Sequence, residues 1–277
     1  MLNLCMRGHD FDVKSIEGVA QKCAEYNLYG AQLAMNITVP DYKVGQFTPA
    51  YADRIKDTFA KHGVKLAIQS CYINPSCTDV DSLEAQLLRF EEQLKYARFT
   101  GAFCVATETN WVGDSCDAEA NNTEHAYQYC IKNLKRLLTT AEKLGVMIAV
   151  EGVRVFVINS PKRMKRMIDD LGSPNLVCIF DPLNFLCAEN CKEQDAMIDE
   201  AFELYGDRMC AIHLKDFIND ENGFRMTLPT EGMLNIKKIL TWVKHNKPDM
   251  PIVLEETKEV NIKKVIDNLN KLYQTIE

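Results

Sequence analysis

Short apolar runs alternate with longer amphipathic stretches from one end of the chain to the other. Residues 2–6 form the first run and 13–26 the first helical pattern; 30–34 precedes a helix over 48–63, and 65–69 one over 81–99. Residues 103–107 precede a helix over 122–145, 146–150 one over 160–172, and 176–180 one over 193–205. Residues 209–212 lead through a longer loop to a helix over 235–245, and 251–254 to a last helix over 261–275. Thr48-Pro49 and Ser160-Pro161 read as helix starts and Gly63, Gly145 and Gly172 as stops, since Pro suits the first turn and Gly the residue past the last. Uninterrupted apolar strands separated by helices predict a parallel sheet buried on both faces. A doubly wound open sheet carries a related pattern, but eight strand–helix units in 277 residues match a closed (β/α)8 barrel better. No Ser/Gly-rich linker divides the chain, so a single barrel over residues 1–277 is expected.

Barrels build their sites at the C-terminal ends of the strands, so the first polar residue after each apolar run is informative. The fifth run ends in Glu151, the sixth in Asp181, the seventh in His213 and the eighth in Glu255. Three carboxylates and an imidazole converging on one rim would repel strongly unless a cation neutralised them. Three oxygen donors and one nitrogen suit Mn2+, Mg2+, Co2+ or Zn2+, with Mn2+ favoured by the carboxylate majority. Glu256 is an alternative to Glu255 that points the other way in a strand. Glu108 ends the fourth run and is placed to contact a substrate hydroxyl or orient a ligand. Trp111 follows it as a candidate pocket wall, and Lys215 shares the face of His213 as a candidate for an anionic substrate group.

Composition narrows the partners. Lys and Arg total 32 against 39 Asp and Glu, a formal net charge of −7, which argues against a phosphate backbone as partner. The longest apolar runs fall far short of a membrane span. Arg7, His9 and Asp10 interrupt the first residues, so no signal core fits there, and the 11 cysteines read as reduced thiols of a cytoplasmic protein. Cys187 and Cys191 lack a second pair to complete a zinc site. His9, His62, His125 and His245 show no ligand spacing.

At the strand ends the sequence resembles the xylose isomerase-like TIM-barrel superfamily of sugar-phosphate isomerases and epimerases, which includes tagatose epimerases, inosose enzymes and type IV apurinic endonucleases. The anchors are Ala149-Val150-Glu151, Ile179-Phe180-Asp181-Pro182-Leu183-Asn184, Ile212-His213-Leu214-Lys215-Asp216 and Val253-Leu254-Glu255-Glu256, with Thr107-Glu108-Thr109 and Thr230-Glu231-Gly232 in support. The resemblance implies that Glu151, Asp181, His213 and Glu255 bind one divalent metal and that Glu151 and Glu255 form an acid–base pair. One carboxylate would take a proton beside a carbonyl, through a metal-stabilised enediolate, and the other would return it. Return to the same carbon is epimerisation, and return to its neighbour is aldose–ketose isomerisation.

The chain departs from its relatives in two respects. The three-metal endonucleases need extra histidines where this chain has Gln69-Ser70-Cys71, Glu108-Thr109-Asn110 and Asn184, which counts against abasic-site cleavage. Asn184 also stands where tagatose-type epimerases place a substrate-binding His; it can bond a hydroxyl but cannot titrate near neutrality. Arg225 reads either as a substrate-binding Arg of the epimerases or as a solvated loop residue. The expected function is a metal-dependent sugar or sugar-phosphate isomerase or epimerase, with a keto-inositol-type dehydratase or a non-catalytic sugar-binding barrel as alternatives. The expected partner is a small sugar or sugar phosphate, with no nucleic acid or membrane, in a chain free to form a homo-oligomer.

Overall fold

The computed structural model describes residues 2–39, 42–43, 45–113 and 118–277. All eight apolar runs form strands: β1 (Asn3–Arg7), β2 (Gly30–Ala34), β3 (Lys65–Ser70), β4 (Cys104–Glu108), β5 (Met147–Glu151), β6 (Leu176–Phe180), β7 (Met209–Leu214) and, after a hairpin of β8 (Asp216–Asp220) and β9 (Gly223–Thr227), β10 (Pro251–Leu254). The eight pair in parallel in the order β1-β10-β7-β6-β5-β4-β3-β2, and β2 closes back on β1. The fold is a single (β/α)8 TIM barrel, as the alternation of runs and helices predicts.

Local chemistry sets the helix ends. Thr48 Oγ1 accepts the Tyr51 N–H at 3.2 Å and Ser160 Oγ the Arg163 N–H at 3.3 Å, satisfying donors that the first turn leaves over. Gly145 ends the helix Glu124–Leu144 at a φ of 64°, backbone that a side chain would strain. That helix buries Tyr127, Cys130, Ile131, Leu134, Leu138 and Ala141 at three- and four-residue spacing.

Alternation along the strands positions the site. Inward-facing side chains such as Cys5, Cys104, Ala149, Val177, Ala211 and Val253 are small and fill the barrel, while Ile148, Val150, Phe180, Ile212 and Leu254 pack outward under the helices. Extending each inward row by steps of two reaches Arg7 from Cys5, Glu108 from Cys104, Glu151 from Ala149, Asp181 from Val177, His213 and Lys215 from Ala211, and Glu255 from Val253. One parity rule brings seven ionisable side chains to the same mouth.

Two features differ from expectation. Strand β7 runs on to Leu214, and the segment expected as a loop contains the antiparallel hairpin β8–β9. Asp216 anchors it: its carboxylate accepts the N–H groups of Phe217 at 2.7 Å, Gly232 at 2.9 Å and Leu234 at 2.8 Å. The stacked rings of Phe217 and Phe224, 4.9 Å apart, stiffen the hairpin.

The ten described cysteines carry free thiols, seven of them buried, and Cys116 lies outside the described residues. Cys187 donates to Asn190 Oδ1 at 3.4 Å, and Cys191 donates to the Ala188 carbonyl at 3.6 Å and accepts from Asn219 Nδ2 at 3.2 Å. No helix among the described residues is long and apolar enough to cross a membrane.

Gly30 opens β2 where β3 approaches so closely that an added Cβ would sit 2.0 Å from the Lys65 carbonyl oxygen. Gly30→Ala is expected to destabilise the barrel by about 1–3 kcal/mol, the range typical of overpacking, read as a lower urea midpoint. An unchanged midpoint would contradict this close approach.

Candidate active site

The inward rows end in a cavity of about 550 Å3, lined by Arg7, His9, Tyr72, Glu108, Glu151, Asn184, Lys215, Glu255 and Glu256, with Leu183 and the hairpin residues Phe224, Arg225 and Met226. Asp181 and His213 are almost wholly buried, at 1% and 0% exposure, and contact these lining groups. A cavity of about 690 Å3 at the opposite end, around the strand starts Lys65, Met209 and Pro251, contains none of the converging groups.

His213 stands at the centre. Its Nδ1 lies 3.1 Å from Glu151 Oε2 and 3.0 Å from Glu255 Oε1, and its Nε2 lies 2.7 Å from Gln32 Oε1. Asp181 holds its own loop, with Oδ1 accepting from the Leu183 and Asn184 amides at 2.9 and 3.2 Å. Its Oδ2 faces Lys215 Nζ at 2.6 Å, and the same ammonium reaches Glu255 Oε2 at 2.9 Å. Asn184 Nδ2 donates to Glu151 Oε1 at 2.6 Å, and Arg7 Nη1 lies 3.3 Å from Glu255 Oε1. Glu256, at positive φ and largely exposed, lies 3.7 Å from Arg7 at the cavity's edge, whereas Glu255 is buried against His213 and Lys215.

The donor set fits a divalent cation. Oxygen and nitrogen atoms of Glu151, Asp181 and His213 lie within 4.8 Å of one another. Asp181 Oδ2 and His213 Nδ1 are buried and meet charged groups, the Lys215 ammonium for the one and the carboxylates of Glu151 and Glu255 for the other. The cation expected to relieve the three carboxylates is in part internal. Lys215 and Arg7 already neutralise much of that charge, so the convergence of donor atoms from Glu151, Asp181 and His213, rather than net repulsion, is what points to an ion.

Burial and neighbours pull the ionisable groups apart. Burial pushes the Asp181 carboxyl up to about 6, against the pull of Lys215. Burial works against a charged His213, but facing Glu151 and Glu255 raises it well above the usual imidazole range. Burial also opposes ionisation of Glu255, yet His213, Lys215 and Arg7 hold it well below the usual carboxylate range. Glu108 forms no ion pair among the described residues, and burial with the charges of Glu151 and Glu255 pushes it up to about 8 against the weaker pull of His213 and Lys215. A metal on Nδ1 would replace the proton that the two carboxylates otherwise favour there.

Of the residues singled out in the sequence, Glu151, Asp181, His213 and Glu255 converge, and Glu108, Asn184 and Lys215 join them. Lys215 is engaged by two carboxylates rather than held open for an anionic ligand. Arg225 lines the cavity from the hairpin, its guanidinium bonded to Asp220 at 2.6 and 2.8 Å. Trp111 is not among the lining residues; its ring packs on Phe156, with centroids 5.6 Å apart. Sequence reasoning passed over Arg7, Gln32, Tyr72 and His9. Arg7 obeys the rule of the first polar residue after a strand, and Gln32 is a lone amide inside an apolar strand.

The family model for the xylose isomerase-like TIM barrel matches residues 20–274. No curated protein matches the chain. Among solved structures, the chain is similar to an E. coli 3-keto-D-glucoside 4-epimerase in its apo form, at TM-score 0.75 and 13% identity, over 98% of this chain and 100% of that one. It is also similar to the probable 3-DHS dehydratase AsbF from Bacillus anthracis, at TM-score 0.76 and 15% identity, over 98% and 99% of the two chains. A third is IolI protein with a bound zinc atom, at TM-score 0.72 and 15% identity, over 98% and 96%. Identities this low speak to the fold alone.

The Glu108 carboxyl yields a pH prediction. Its folded-state value of about 8 lies above that of an unfolded chain, about 4.3. As pH rises between the two, the unfolded state ionises first and the metal-free wild type loses stability. Glu108→Gln removes that loss. In chelator, the variant's Tm is expected to match wild type near pH 4 and exceed it above pH 8; equal values at both would contradict the assignment.

Proposed function

The chain belongs to the xylose isomerase-like TIM-barrel family, and from that premise we propose that it is a divalent-metal-dependent isomerase or epimerase of a small sugar. The observation that carries this reading is the pair Glu151 and Glu255, at 3.1 and 3.0 Å from one buried nitrogen in a polar cavity. Glu151, Asp181, His213 and Glu255 would hold the ion. When bound, a divalent ion polarises a substrate carbonyl and makes the adjacent C–H more acidic. The donor set accommodates Mn2+, Mg2+, Co2+ or Zn2+, with the oxygen majority favouring Mn2+.

Glu151 and Glu255 carry the proton. One carboxylate abstracts it from carbon, and the other returns one to the same carbon or to its neighbour. Asn184 orients Glu151, while Lys215 and Arg7 hold Glu255 ionised. Strand β9, with Phe224 and Met226, contributes apolar surface to the cavity.

The cavity favours an uncharged sugar over its phosphate. Arg7 is held by Asp10 at 2.7 Å as well as by Glu255, Lys215 by Asp181 and Glu255, and Arg225 by Asp220. Among the described lining residues no Lys or Arg is left unpaired for a phosphate. His9, Tyr72 and Asn184 offer neutral hydrogen-bonding groups instead, with burial lowering His9 so that it stays uncharged. The free, mostly buried thiols accord with a reducing, cytoplasmic setting.

A second reading is dehydration of a keto-inositol-type substrate, favoured by Glu108. A carboxyl still protonated near neutrality in the cavity can protonate a leaving hydroxyl after the same pair removes the neighbouring proton. Product analysis separates the two, since dehydration lowers the substrate mass by one water and isomerisation does not.

Glu151→Gln and Glu255→Gln are each expected to slow deuterium uptake from solvent into a responsive ketose by about 10²–10⁴-fold. Wild-type rates in both variants would remove the two-carboxylate mechanism. No exchange by wild type, with tight sugar binding, would instead favour a binding barrel. In a thermal-shift panel with Mn2+, unphosphorylated ketoses are expected to raise Tm more than their phosphate esters. The reverse order would contradict an uncharged substrate.

A further inference from the structure

Gln32 is the polar exception in β2. Its neighbours Ala31, Leu33 and Ala34 are apolar and buried, and Gln32 itself is 1% exposed. A buried amide is costly unless both of its ends are bonded. Here Nε2 donates to the Tyr72 hydroxyl at 3.0 Å, and Oε1 lies 2.7 Å from His213 Nε2. Strand pairing does not explain that contact, because β1 and β10 separate β2 from β7 in the barrel.

We propose that Gln32, held by Tyr72, is a positioning residue that determines which nitrogen of His213 is open to the divalent ion. The inference rests on the metal site proposed above. An amide oxygen only accepts, so the proton facing it resides on Nε2; Nδ1, which faces two carboxylates, carries a proton in the metal-free chain and would release it to offer its in-plane lone pair to an ion. That lone pair is directed where Glu151 Oε2 and Glu255 Oε1 stand 3.1 and 3.0 Å away. With the amide reversed, its NH2 group would face Nε2, the proton would move to Nδ1, and the nitrogen beside the carboxylates would be closed to an ion. The Tyr72 hydroxyl holds the far end of the amide at 3.0 Å. Such an acceptor on the far nitrogen is a general way to fix a ligand's tautomer and raise its basicity.

The test uses the full chain and Zn2+, a diamagnetic probe. Gln32→Met keeps the length and removes the acceptor; Gln32→Glu keeps an acceptor at the same place. By calorimetric titration, Q32M is expected to bind Zn2+ about 10–100-fold more weakly than wild type, and Q32E to bind as tightly or within about 3-fold. The imidazole ¹⁵N spectrum of Zn2+-loaded wild type and Q32E is expected to show the His213 proton on Nε2. A role in packing alone would leave Zn2+ affinity unchanged in Q32M, which keeps the length, and would leave the tautomer unmoved. Unchanged affinity in a folded Q32M, or a proton on Nδ1 in loaded wild type, overturns the assignment. Should Q32M fail to fold, a tenfold or greater loss in folded Q32E overturns it, and the wild-type spectrum decides independently of either variant. A wild type that binds no Zn2+ overturns the metal site itself, and this assignment with it.

Discussion

Enclosing three carboxylates around one buried imidazole is the constraint on which the rest of this structure depends. Glu151, Asp181 and Glu255 are 4%, 1% and 5% exposed, and His213 is fully buried between them. Removing such charges from water costs several kcal/mol per ion unless partners replace the lost solvation. The barrel supplies those partners by geometry. Small inward side chains leave room at its axis, and strict alternation carries Lys215 to the same mouth as the acids it neutralises. Arg7, brought from the first strand by barrel closure against β10, completes the local balance.

That balance gives the site its chemical character. The cations are committed to internal carboxylates, so the cavity presents mainly neutral donors and acceptors to a ligand. Glu108 has no cation paired with it and stays protonated near neutrality, while Glu255, surrounded by His213, Lys215 and Arg7, stays ionised. Two carboxyl groups at one mouth thus hold opposite protonation states because their neighbours differ. The hairpin anchored through Asp216 adds an apolar wall to this polar interior.

The barrel was legible because each buried strand is a predominantly apolar run followed by an amphipathic helix. Glu151, Asp181, His213 and Glu255 were legible because each is the first polar residue where such a run ends, and Lys215 because it shares the parity of His213. The hairpin β8–β9 was harder to read, since its exposed strands alternate only weakly and the Asn222-Gly223 turn signal stood in what looked like a long loop. Arg7 obeys the same strand-end rule, as the first polar residue after the first apolar run. Gln32 does not, because it lies within an apolar strand and meets His213, 181 residues away, only across the closed barrel. Trp111 drew notice as an aromatic beside a strand end, but its ring is spent on Phe156, a contact made by two loops distant in sequence.

The central claim is that the cluster at the barrel mouth is a divalent-cation site rather than a self-contained network of ion pairs. Anomalous diffraction from crystals grown with Mn2+ tests it most directly. The account predicts one strong peak per chain, bounded by the carboxylates of Glu151 and Asp181 and by His213 Nδ1. A saturated crystal with no peak there, or with its ordered ion elsewhere and Lys215 still bridging Asp181 and Glu255, would contradict it.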